Sequence, residues 1–184
     1  MRYAIELFFD MALEHQILGI WDALGVAGFP ALHSVATGSV RPHLTIAVFE
    51  VDSDSDLLVE RTLSFGKACS RAEISFQSVG MFPTNEGVLF LAPTVTAELL
   101  ALHARFYEYL ADFSEHAAAY YKVNHWVPHS TMAVSLAPEA LSDAMKIVLQ
   151  NSSFPMMGHI AQIGVEQVKK DPLSVQLIAS QEVL

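Results

Sequence analysis

The chain has 184 residues, 52% hydrophobic and 16% charged, a balance that supplies a substantial core for one domain and excludes a disordered polypeptide. Its net charge of −10 argues against long nucleic acid as the main ligand, since backbone binding relies on many Lys and Arg, but it is compatible with a small anion held by local donors. No apolar run approaches the ~20 residues of a membrane span, and a single cysteine, Cys69, allows no internal disulfide, so a cytoplasmic protein is expected.

The aromatic and aliphatic run from Arg2 to Phe9 predicts a strand ending at Asp10, and Glu6 within it speaks against a signal peptide. Leu13, Ile17, Ile20 or Trp21, and Leu24 then recur at helical spacing, and Gly25 and Gly28 close that helix. A loop over 29–39 leads to a strand over 41–51. The acidic stretch Asp52-Ser53-Asp54-Ser55-Asp56 predicts the capped start of a helix reaching about Cys69, whose thiol shares a buried face with Leu58, Thr62 and Phe65. Strands over 73–81 and 87–91 are joined by the turn Pro83-Thr84-Asn85-Glu86-Gly87. Thr94 or Thr96 caps a third helix carrying Leu99, His103, Phe106, Leu110 and Phe113, with His103 a satisfied buried histidine. A strand over 126–136 follows. Pro138 suits the first turn of a helix carrying Leu141, Met145 and Val148. Strands over 156–168 and 173–178 close the chain, with Asp171-Pro172 between them.

Two of these strands read almost alike. Pro42-His43-Leu44-Thr45-Ile46-Ala47-Val48 and Pro128-His129-Ser130-Thr131-Met132-Ala133-Val134 each hold a His-x-Thr in the same Pro, Ala and Val frame. One His-x-Thr arises easily by chance; two in matching frames do not. Strand alternation places His43, Thr45 and Ala47 on one face and Leu44, Ile46 and Val48 on the other, and likewise separates His129, Thr131 and Ala133 from Met132 and Val134. A purely structural repeat would match best on its buried face. Here the closer match is on the polar face, which points to a site. The element order with the duplicated motif predicts an α+β fold of two related lobes over residues 1–184, two antiparallel-rich sheets facing a central cleft with helices on the outer faces.

Paired histidines near neutral pH can act as complementary acid and base, and a Thr hydroxyl two residues on can donate to a phosphate oxygen. Such chemistry on a phosphodiester needs neither metal nor cofactor. His125 and His129 are four apart, but Pro128 breaks the helix that would turn both onto one metal. Arg41, just before the first motif, and Lys122, ahead of the second, are candidates to reach a phosphate. Trp126, Tyr121 and Tyr120 are candidates for a base-stacking platform.

On Pro-His-Leu-Thr-Ile at 42–46 and Trp126-Val127-Pro128-His129-Ser130-Thr131-Met132, the chain resembles the 2H phosphoesterase superfamily, and especially its bacterial 2′-5′ RNA ligase-like (LigT-like) branch. The resemblance implies a bilobal fold with pseudo-two-fold symmetry. It also implies metal-independent hydrolysis, or reversible ligation, of a 2′,3′-cyclic phosphate or a 2′-5′ phosphodiester. Carried over residue by residue, His43 and His129 are the expected catalytic pair and Thr45 and Thr131 the phosphate donors. The acidic charge balance favours a small nucleotide or an RNA terminus as partner. The alternative is a non-catalytic module that binds nucleotides or RNA ends in the same cleft.

Overall fold

The element order repeats once along the chain. The first half holds β1 (Arg2–Phe9), α1 (Met11–Val26), α2 (Leu32–Val35), β2 (Thr37–Gly38), β3 (His43–Glu50), α3 (Ser55–Lys67) and β4 (Ala72–Phe82). The second holds β5 (Val88–Pro93), α4 (Ala97–Tyr109), β6 (Ser130–Ala133), α5 (Leu141–Gln150) and β7 (Met156–Lys170), and β8 (Leu173–Glu182) ends the chain. The computed structural model describes residues 1–184 apart from 39, 83, 85, 86, 171 and 172 and the side chain of Lys170. Most of the turn expected at 83–87, and the one at Asp171-Pro172, lie outside the described residues.

Local chemistry sets the helix starts. Asp10 caps α1 by accepting from the Leu13 N–H at 3.0 Å, and Thr96 rather than Thr94 caps α4 by accepting from Leu99 at 3.1 Å. The acidic stretch before α3 works differently from expectation. Asp54 sits at the N-cap but makes no side-chain cap bond, and Asp52 is taken by the N-terminal ammonium at 2.8 Å. Asp54 at the N-cap and Asp56 in the first turn place negative charge at the positive end of α3. Pro138 opens a 3₁₀ turn (Pro138–Ala140) that leads into α5. The region expected as loop at 29–39 contains α2 and β2.

The strands join into one curled eight-stranded sheet with two limbs. In one limb β1 pairs antiparallel with β3 and β7; in the other β5 pairs antiparallel with β6 and β4. The last strand of each half therefore completes the limb of the other, and β4 and β7 pair across the join, Ala72 opposite Ile160 through Phe76 opposite Met156. The two sheets expected from the sequence are these limbs, continuous through β4 and β7. Parallel β2 and antiparallel β8 extend the sheet beyond β7, and the motif strands β3 and β6 touch.

Alternation divides each limb into two faces. Tyr3, Ile5, Leu7, Phe9, Leu44, Ile46, Ile163 and Val165 enter the core that also holds Leu13, Ile17, Trp21 and Leu24 of α1. Glu6 and Phe8 are buried on the opposite face, where Glu6 pairs with Thr45 and Phe8 with His43.

Both motif strands carry a bulge immediately after the Thr. In β3, Glu6 pairs with Thr45 but Ile5 with Ala47, so Ile46 is extra; in β6, Phe90 pairs with Thr131 but Leu89 with Ala133, so Met132 is extra. The insertion moves Ala47 and Ala133 to the core face, where both are fully buried, and corrects the expected His-Thr-Ala face to a His-Thr face. The second motif strand is also shorter than the expected 126–136. Pro128 has no N–H for a ladder, and Trp126 is buried in the core.

Candidate active site

His43 opens β3, and His129 stands just before β6. In both, the ring is fixed by the same local device: Nδ1 donates to the carbonyl oxygen two residues earlier, Arg41 O at 2.6 Å for His43 and Val127 O at 2.7 Å for His129. A carbonyl can only accept, so Nδ1 carries the hydrogen and Nε2 is left as the titrating atom. Burial pushes both rings below the ordinary histidine value. For His43 the charge of Glu166 and the Arg41 carbonyl oppose that push; for His129 the Val127 carbonyl opposes it and the field of His43 adds to it. The His129 ring therefore senses the charge of His43.

Their surroundings differ. His43 Nε2 lies 3.8 Å from Glu6 Oε2, on the face that also carries Glu166. His129 meets the Phe82 ring edge-on with centroids 4.8 Å apart and the Phe90 ring at 5.3 Å. Gly80 permits this wall, because a Cβ there would stand 2.5 Å from the Phe90 ring.

Glu6 is 2% exposed, and burial lifts its carboxyl to about 8 despite the hydrogen bond from Thr45. Glu166 is lifted to about 7 by burial and by the charge of Glu6, against the pull of His43 and Arg41. Glu6 Oε2 and Glu166 Oε1 meet no hydrogen-bond partner among the described residues.

Thr45 and Thr131 occupy equivalent positions and are both half-buried. Thr45 Oγ1 and Glu6 Oε1 share a hydrogen bond of 3.2 Å. Their main-chain carbonyls, beside the bulges, are held by tryptophans: Trp126 Nε1 donates to Thr45 O at 2.9 Å and Trp21 Nε1 to Thr131 O at 3.0 Å.

The weaker sequence candidates sit elsewhere in this framework. Arg41 was a candidate to reach a phosphate; its guanidinium donates twice to Glu14, at 2.7 and 3.0 Å, and once to Gln162 at 2.9 Å, and lies over the Phe8 ring. Trp126, a candidate stacking platform, is 9% exposed and already stacks on His103 with centroids 4.2 Å apart, which leaves little ring surface for a base. His103 is the satisfied buried histidine expected, its Nε2 donating to the Tyr121 carbonyl at 2.8 Å. Tyr121 lies in a 3₁₀ turn (Ala119–Tyr121) and packs against the core, and Tyr120 is 84% exposed. Cys69 is buried as expected.

Sequence reasoning did not identify Glu6 and Glu166 or Phe82 and Phe90 as part of the site. A visible signal existed for the first two: each is the one charged residue of its segment, Ala-Ile-Glu-Leu and Gly-Val-Glu-Gln-Val. Among the described residues, no group of three or more His, Cys, Asp or Glu could hold a metal ion, and no helix is long and apolar enough to cross a membrane.

No curated protein matches the sequence significantly. Solved structures do share the fold. TT0787 of Thermus thermophilus superimposes with a TM-score of 0.69 at 12% identity, covering 100% of this chain and 98% of that one. E. coli LigT complexed with 3′-AMP gives 0.62 at 11% identity, covering 99% and 96%, and LigT complexed with NADP+ gives 0.60 at 13% over the same shares. At these identities the likeness is one of fold. Membership rests on sequence: the family model of the 2′-5′ RNA ligase superfamily matches residues 14–171, and the chain belongs to that superfamily.

Proposed function

We propose that this protein is a metal-independent phosphodiesterase that hydrolyses, or reversibly ligates, a 2′,3′-cyclic phosphate or a 2′-5′ phosphodiester of a small nucleotide or RNA end. The observation that carries the reading is the duplicated fixing of His43 and His129, each with Nδ1 bound to the carbonyl two residues earlier and Nε2 left to titrate. In hydrolysis, one neutral Nε2 takes a proton from water as its oxygen attacks phosphorus. The phosphorus bond to the leaving oxygen breaks, and the other, protonated Nε2 gives its proton to that oxygen. Water is consumed and a phosphomonoester is formed. Thr45 and Thr131 donate to non-bridging oxygens, where negative charge gathers.

Both histidines sit below their ordinary value, so one ring is readily neutral near pH 7. A bound phosphodiester anion then favours the proton on the other. The net charge of −10 supports a small substrate over long nucleic acid. The LigT structures with 3′-AMP and NADP+ support nucleotide-sized ligands on this fold.

The test is a panel of 2′,3′-cyclic nucleotides, 2′-5′ dinucleotides and ADP-ribose cyclic phosphate, with products identified. Turnover of at least one, unaffected by EDTA, is expected. Binding without product would instead identify a nucleotide-binding module.

A further inference from the structure

The pseudo-symmetry of the site breaks at one position. Across the ladder, Thr131 faces Phe90, whereas Thr45 faces Glu6. A carboxylate 3.2 Å from Thr45 Oγ1 competes for the hydroxyl hydrogen that a phosphate would need. If Glu6 is ionised, Thr45 donates to it and offers a ligand only lone pairs. If Glu6 carries the proton, the same contact reverses. Glu6 then donates to Thr45 Oγ1, and the hydroxyl hydrogen is free to point at the ligand.

We propose that Glu6 is a positioning residue that keeps a proton and through it donates a hydrogen bond to Thr45 Oγ1, making Thr45 a hydrogen-bond donor to a non-bridging phosphate oxygen. This rests on the placement of Thr45 in the phosphate site argued above. The burial of Glu6 supports it. The carboxyl is 2% exposed, its Oε2 has no hydrogen-bond partner among the described residues, and burial lifts it to about 8. An ionised carboxylate in such a slot would be desolvated with little compensation.

The charges facing Glu6 come from every neighbouring element. On β3, His43 Nε2 is 3.8 Å away, beyond hydrogen-bond reach. On β7, Gly164 lies directly opposite, and Glu166, two residues on, is the nearby acid, so that an anion at either carboxyl disfavours a second. Arg41, ahead of β3, has its charge answered by Glu14 of α1. His129, farther along, feels the charge of His43. None of these groups donates a hydrogen bond to Glu6, whereas Thr45 Oγ1 is placed to accept one from its carboxyl.

The experiment is the affinity for inorganic phosphate between pH 7 and 10, measured on the wild type, Glu6→Gln and Thr45→Val. Phosphate is already a dianion above pH 8, and any proton that a histidine or Glu166 exchanges on binding is common to all three proteins, so the part of the weakening that differs between them belongs to Glu6. Wild-type affinity should weaken above about pH 8, approaching tenfold per pH unit for one linked proton. Glu6→Gln, whose amide donates to Thr45 at every pH, should bind without that weakening. Thr45→Val should bind more weakly throughout and lose the weakening as well. Parallel curves for wild type and Glu6→Gln would overturn the proposal. Persistence of the weakening in Thr45→Val would also overturn it, since it would mean plain charge repulsion by Glu6. So would failure of the wild type to bind phosphate at pH 7. If Glu6→Gln does not fold, carboxyl NMR of the wild type decides: a glutamate titrating near the ordinary value, with none well above it, would refute the proton. Because the readout is binding, it stands apart from turnover of the substrate panel.

Discussion

The indole N–H of Trp126 donates to the main-chain carbonyl of Thr45 at 2.9 Å, tying the residue that leads into one His-x-Thr motif to the hydroxyl residue of the other. Trp21 does the same for Thr131 from α1. Both carbonyls lie beside a bulge, where ladder pairing is interrupted and a buried acceptor needs another donor. Each tryptophan thus closes the gap that its bulge opens. Trp126→Phe and Trp21→Phe keep a ring but remove the donor, and each should cost about 1–3 kcal/mol in urea unfolding. Loss of stability in neither variant would mean that these carbonyls find other partners.

Ala47 and Ala133 give a second, opposed pair of expectations. If they lined the site, enlarging them would raise KM and leave stability alone. Because the bulges turn them into the core, Ala47→Leu and Ala133→Leu should each lower stability by about 1–3 kcal/mol through overpacking. Thermal melts alongside KM separate the two outcomes.

The buried carboxyls predict a pH dependence of stability. Glu6 and Glu166, at about 8 and about 7, stand above the ~4.3 of a glutamate in the unfolded chain. Between those values the folded protein holds more protons than the unfolded one, so this contribution is full below about pH 4 and is lost as pH rises through 8. Melting temperature should fall from pH 5 to 9, and Glu6→Gln or Glu166→Gln should flatten the fall. An unchanged slope in both variants would contradict the burial argument.

Asp10 should behave in the opposite sense. Burial pushes its carboxyl up, but hydrogen bonds from Leu13 N–H, from His159 N–H at 2.7 Å and from the His159 ring outweigh this and hold it below the ordinary value. Its contribution is therefore present above ~3.9 and lost as pH falls below that. Asp10→Ala should cost about 1–2 kcal/mol at pH 7 as a lost cap. Chemical denaturation at pH 7 and pH 3 would show the difference shrinking in acid.

The His and Thr of each motif were legible because alternation along a strand needs only local sequence. The face assigned to Ala47 and Ala133 was not, because a bulge adds a residue to the ladder without any mark in composition. Glu6 was visible as a charge in an apolar strand, yet its partners Thr45, His43 and Glu166 come from strands far apart in sequence. Trp126 and Arg41 were candidates for ligand contact through nearness to the motifs, beside the readings of core ring and strand-end charge. Their partners, His103, Glu14 and Gln162, appear only once helices and strands pack. The element order was readable almost throughout, and the exchange of last strands between the limbs was not, since pairing partners are set by tertiary packing.

Turnover of a 2′,3′-cyclic nucleotide by wild type, His43→Ala and His129→Ala, each checked for folding by circular dichroism, tests the central claim most directly. The expected result is product from the wild type and a loss of about 10²–10⁴-fold in each folded variant, the range of general acid–base assistance. A folded variant of either histidine that keeps wild-type turnover would contradict it.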